Sequence, residues 1–207
     1  MKKKLFTKAD LQHIQSELEF AEQIRLSNYR KSKSLREANK ARLSQIIINK
    51  IKDGEKTKII AIDPGENGGI AIYSTELSSV TDVIKMPSTP QDVLSYLTVN
   101  KENAICYLEK VGGMPGQSGS AMFNFGKGYG HLEMALLALQ IPTVTITPQS
   151  WQKALQLGTR GKEMSKTEWK NKLKAKAQQL FPYIKKITLA ISDALLICEY
   201  ARIKEKL

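Results

Sequence analysis

The chain has little of what nitrogen- and sulfur-based metal cages need. It holds two histidines, His13 and His131, and two cysteines, Cys106 and Cys198, with no Cys-x-x-Cys pair. Zinc-finger sites and a disulfide framework are therefore excluded as organising features. Both cysteines lie inside apolar runs and read as small buried hydrophobes of a reducing compartment. Long apolar runs are missing too, and no stretch of about 18 residues suits a bilayer. The start, Met1-Lys2-Lys3-Lys4-Leu5-Phe6, is basic, but Lys8, Asp10 and Gln12 interrupt the apolar centre that a secretory signal requires. The expectation is a cytoplasmic protein of a bacterial or phage-infected cell, with no membrane partner. Proline and glycine are absent from Met1 to Asp53, which removes the usual helix breakers from that segment.

Positive charge is what the chain has in excess: 32 Lys and Arg against 20 Asp and Glu, a net +12. The excess is unevenly placed. Residues 1–50 carry 12 basic against 5 acidic side chains, residues 51–150 carry 7 against 10, and residues 151–207 carry 13 against 5. Basic flanks around a slightly acidic middle suit a protein that grips phosphates while its carboxylates hold a cation. Each lysine alone reads equally well as a solvated charge; the asymmetry of the whole favours a polyanion partner.

A length of 207 residues allows one full domain with an appendage. Residues 7–50 read as helix: Leu11, Ile14, Leu18 and Ala21 follow a 3-4-3 spacing, and Leu35, Ala38, Leu43, Ile46 and Ile47 form a second apolar set. Between them lies a basic stretch with Arg30, Lys31 and Lys33. The division expected is a basic helical arm or hairpin over 1–53, then a domain over 54–207. Packing on the domain, dimerisation and contact with DNA all remain open for the arm.

The domain is organised around Lys58–Tyr73. A β-prone apolar run ends in Asp63, turns through Pro64-Gly65, and re-enters a second run after Gly68-Gly69. Further strands are expected over 80–86, 103–109 and 142–147, and helices over 91–97, 120–139, 148–151, 167–180 and 189–204. Three antiparallel strands followed by alternating helices and strands predict an α/β fold, a mixed sheet with helices on both faces. Gly126 and Gly130 lower helix propensity in their segment, and close helix approach is the expected compensation. An acid after the first strand occurs in RNase H-like nucleases and in actin and sugar-kinase ATPases, and an ordinary turn-capping Asp would look alike. The ATPases are duplicated domains, and about 150 residues leave no room for a second phosphate loop.

Asp63 and Glu109 each end a predicted buried strand, and Asp193 lies in the first turns of the last helix. If those strands are neighbours and the helix crosses their ends, three carboxylates converge. Such a group repels itself unless a cation or a proton intervenes. Oxygen-only ligands point to Mg²⁺, with Mn²⁺ as a substitute. Two such ions activate water and stabilise the leaving oxygen of a phosphodiester.

Several segments together resemble the RuvC type of Holliday-junction resolvase, within the RNase H-like superfamily, and most of all its phage, poxvirus and chloroplast branch. They are Ile62-Asp63-Pro64-Gly65 with Gly68-Gly69; Tyr107-Leu108-Glu109; Gly116-Gln117-Ser118 and Gly126; Val144–Gln152; Leu180-Phe181-Pro182; and Ser192–Tyr200. They span about residues 58 to 204, and their shared order carries the likeness. The resemblance implies a homodimer that binds four-way DNA junctions and nicks two strands symmetrically with Mg²⁺, through Asp63, Glu109 and Asp193. The alternatives are a broader branched-DNA or flap nuclease, and a junction-binding protein without catalysis. The chain departs from the family in one respect. A fourth acidic or histidine ligand is expected three to five residues before Asp193, where Ala190, Leu189 and Thr188 stand.

The resemblance also places Gln117 and Ser118 at the junction centre. Lys127, Arg160, Lys162, Lys166, Lys170 and Lys174 are candidates for phosphate contacts as a group. Phe123, Phe125 and Tyr129 could stack on an unpaired base, although aromatics at helical spacing more often serve a core or a dimer interface. Trp151 reads as packing the turn it follows, and His131 has no assigned role.

Overall fold

The computed structural model describes Glu19, residues 22–34, Ala38 and residues 58–112, 118–161 and 163–207. The chain divides into two compact units, Met1–Ile46 and Ile47–Leu207. In the first, residues 22–34 form a helix, α1, whose residues are all exposed. The remainder of the expected arm, including Leu11, Ile14, Leu18, Leu43 and Ile47, lies outside the described residues. No helix among the described residues is long and apolar enough to cross a membrane.

The second unit is a five-stranded mixed sheet of β1 (Lys58–Asp63), β2 (Gly69–Ser74), β3 (Ser79–Lys85), β4 (Ala104–Glu109) and β5 (Thr143–Ile146). Their spatial order is β3-β2-β1-β4-β5. The pairs β1–β2 and β2–β3 are antiparallel, while β1–β4 and β4–β5 are parallel. The helices are α2 (Pro90–Asn100), α3 (Gly119–Ala138), α4 (Pro148–Ala154), α5 (Lys166–Leu180) and α6 (Leu189–Glu205). This is the expected α/β class, with element ends displaced by a residue or a few from the sequence reading.

Strand β1 is apolar without alternation because both of its faces are covered. Ile59, Ile60, Ala61 and Ile62 are fully buried, as expected of a central strand between a parallel and an antiparallel neighbour. The two faces still separate by parity. Ile60 and Ile62 join Ile70, Ile72, Cys106 and Leu108 in a core beneath Val93 and Leu97 of α2 and Leu132 and Leu136 of α3. Ile59 and Ala61 join Tyr73, Ile105 and Tyr107 in a second core, with Trp151 of α4, Trp169 and Leu173 of α5, and the apolar run of α6. Helix α6 is buried on all sides from Ile191 to Cys198, so it is a central helix rather than an amphipathic one.

Local signals fix the helix starts. Thr89 and Thr147 cap α2 and α4, each followed by a proline at the first helical position, and Ser165 with Glu168 forms a capping box on α5. Glycine is required where α6 meets β2. A Cβ on Gly69 would lie 2.7 Å from the Ile84 carbonyl oxygen and 2.9 Å from that of Ala190, and one on Gly68 would lie 2.0 Å from the Asp63 oxygen. Gly69→Ala must therefore push backbone rather than side chains. Chemical denaturation should show a loss of about 1–3 kcal/mol; an unchanged midpoint would mean that α6 does not sit this close.

The expected close approach at Gly126 and Gly130 is not made by the described residues: none of them lies within 4 Å of where a Cβ would stand on either glycine. Phe123, at 71% exposure, is outside the core, whereas Tyr129 packs at the edge of the core beneath α2 and α3.

Candidate active site

The same parity that sorts the core delivers two carboxylates to one place. Positions 59, 61 and 63 of β1 and 105, 107 and 109 of β4 point toward α6, and the parallel register pairs Ile62 with Leu108. Asp63 and Glu109 therefore end neighbouring strands on the α6 face. Asp193, on the second turn of α6, meets them there. All three are buried, at 7%, 8% and 4% exposure respectively.

Each acid has a partner that holds its orientation. The indole Nε1–H of Trp151 donates to Glu109 Oε1 at 2.7 Å. Ser192 Oγ donates to Asp193 Oδ1 at 3.1 Å, and Lys170 Nζ donates to Asp193 Oδ2 at 2.6 Å. Burial pushes the Asp63 carboxyl well above the usual carboxylate range, and the negative charges of Asp193 and Glu109 push it further. The Lys170 ammonium offsets part of this, and a side-chain hydrogen bond with Glu109 adds to the rise. Glu109 is also raised, chiefly by burial, although the Trp151 N–H works the other way. Burial disfavours the Lys170 ammonium, but its bond to Asp193 and the neighbouring acids outweigh that cost and raise its pKa.

Three buried carboxyl groups beside a single ammonium form a cluster short of positive charge. Its donors are all oxygens, the set that suits a hard divalent cation. As the side chains stand, no three His, Cys, Asp or Glu groups among the described residues are placed to hold a metal ion.

Neither a family model nor a curated protein matches the sequence. Solved structures do. RuvC of Thermus thermophilus in complex with a Holliday junction substrate matches with a TM-score of 0.50 at 16% identity, over 72% of this chain and 98% of that one. The fold is that of RuvC. A second Thermus thermophilus RuvC structure matches at 15% identity over the same shares, with a TM-score of 0.46.

The other expected site residues lie apart from the carboxylate cluster or outside the description. Ser118 caps α3 by accepting from the Ala121 N–H at 3.3 Å. Lys127 on α3, Arg160 before α5 and Lys166 at the start of α5 are exposed, and Lys174 is half-buried. Gln117 and Lys162 lie outside the described residues. Lys166, Lys170 and Lys174 follow each other at four-residue intervals and share one side of α5. Of the lysines on that side, Lys170 is the one bonded to an acid of the cluster.

Two partners in the cluster go beyond the sequence reading. Trp151 packs, as expected, but it also holds Glu109; a buried indole N–H needs an acceptor, and that need was the available signal. Lys170 turns inward to Asp193, a direction that helical spacing alone does not reveal. Phe125 sits over the turn after Asp63, its ring 2.9 Å from where a Gly65 Cβ would be. Glu199 pairs with Arg202 at 2.8 Å and takes no part in the cluster.

Proposed function

We propose that this protein is a divalent-metal-dependent, structure-selective endodeoxyribonuclease that resolves four-way DNA junctions by paired symmetric nicks. The observation that carries this reading is the buried cluster of Asp63, Glu109 and Asp193 at one end of a RuvC-fold sheet. The bound state of the similar solved protein, a complex with a Holliday junction substrate, agrees with it. The three acids would hold Mg²⁺, or Mn²⁺ in its place. When bound, the cation supplies the positive charge that in-line attack on a phosphodiester demands. Trp151 keeps Glu109 from rotating, and Lys170 does the same for Asp193.

Lys127, Arg160, Lys166 and Lys174 are the proposed phosphate contacts, with Ser118 near the junction centre. Two coordinated nicks require two copies. Phe123, Met134 and Leu137 on α3 are 71%, 62% and 72% exposed and offer an apolar surface for a second chain. The basic residues of the arm over 1–53 are a further proposed source of attraction for a polyanion.

A junction-binding protein without catalysis is the second reading. The absence of an acid at Thr188, Leu189 and Ala190 and the engagement of Asp193 by Lys170 favour it. A synthetic four-way junction incubated with Mg²⁺, and separately with EDTA, decides between them. Paired nicks with metal and none with EDTA are expected. Tight binding without nicks under either Mg²⁺ or Mn²⁺ would favour the second reading.

A further inference from the structure

We infer that the Lys170 ammonium stands in the place of a second cation, so that each site takes one divalent ion, on Asp63 and Glu109. The inference rests on the metal site proposed above and narrows it: two of the three acids hold the ion, and Lys170 takes the third.

Lys170 reaches the cluster from α5, with its side chain 33% exposed and that of Asp193 only 6%. The 2.6 Å contact occupies Asp193 Oδ2, while the one hydroxyl proton of Ser192 lies 3.1 Å from both Asp193 Oδ1 and the Leu189 carbonyl oxygen, measured from Oγ. The third carboxylate is thus held by an ammonium of this chain. Asp63 and Glu109 are engaged differently: among the described residues the Trp151 indole N–H reaches one oxygen of Glu109, and no ammonium bonds to either acid. A cation arriving there meets two carboxyl groups at the ends of adjacent strands.

A second divalent ion would need Asp193, already bonded to an ammonium at close range. Two positive centres cannot share that carboxylate without strong repulsion in so buried a setting. The residues that would supply other oxygens nearby on α6, Ala190, Leu189 and Thr188, include no carboxylate. The ammonium, fixed in number and always present, replaces an exchangeable ion.

The test is a Mn²⁺ titration of the full chain, with free Mn²⁺ read by electron paramagnetic resonance and no substrate present. Wild type should bind one ion per protomer. K170M, which keeps the aliphatic stem and removes the charge, should bind two. K170R, which restores a cation, should return the count to one. Thermal unfolding in a chelator should show K170M less stable than wild type, with Mn²⁺ giving it the larger recovery. Two ions on wild type, or one on K170M, overturns the inference while leaving the metal site standing. The wild-type count alone decides if K170M does not fold. No binding by any of the proteins removes the metal site itself, and with it this inference.

Discussion

Asp63→Asn should abolish junction cutting, by roughly 10³-fold or more, while junction binding persists. The amide keeps the shape of the carboxyl and removes the charge that a cation would require. Its N–H can donate to Glu109, which lies within side-chain hydrogen-bond reach of position 63. The same change should raise the melting temperature of the protein in chelator, because a buried, repelled acid is replaced by a neutral group. The pH dependence follows from the sign of the shift. The folded pKa of Asp63 lies above its ordinary 3.8, so the folded state binds the proton more tightly than the unfolded state. The associated stability is full below that ordinary value and is lost as pH rises through the raised one. Metal-free wild type should therefore lose melting temperature as pH rises above the ordinary carboxylate range, and the Asn variant should lose less. Cutting that survives the substitution, or parallel melting profiles, would remove Asp63 from the centre of the site.

Trp151 should show the largest loss of stability. It is fully buried in the core beneath α4, α5 and α6, and Trp151→Ala should cost about 3–5 kcal/mol by denaturant titration. Trp151→Phe separates packing from orientation. It retains most of the volume and deletes the N–H that reaches Glu109 Oε1 at 2.7 Å. Cutting should fall about 10–100-fold, the usual cost of losing a group that orients a ligand. Glu109 should titrate higher, since the donor that lowered its pKa is gone, and the acid limb of the pH–rate profile should move up with it. A Phe variant that cuts at the wild-type rate with an unmoved profile would reduce Trp151 to packing alone.

The sheet was legible because its signals are local. The first, second and fourth strands each hold a short apolar run, and the acids at positions 63 and 109 end two of those runs. Their meeting followed from period two once the strands were neighbours. Lys170 was harder to place, because its four-residue spacing from Lys166 and Lys174 describes a basic face and does not say which member turns toward Asp193. Trp151 gave its burial away by composition but not its acceptor, 42 residues earlier in the chain. The glycines of α3 misled for a related reason: an expected close contact needs a partner, and none lies among the described residues. Side-chain destinations across long sequence separations are set by packing, which local propensity does not encode.

Helix α6 is at once the last long element of the domain and its innermost one. It packs on β1 and β2 through Ile191 and Ala194 to Cys198, and Asp193 is set among those same residues. Any copy of the chain that stops before Leu189 forfeits its core together with its third carboxylate.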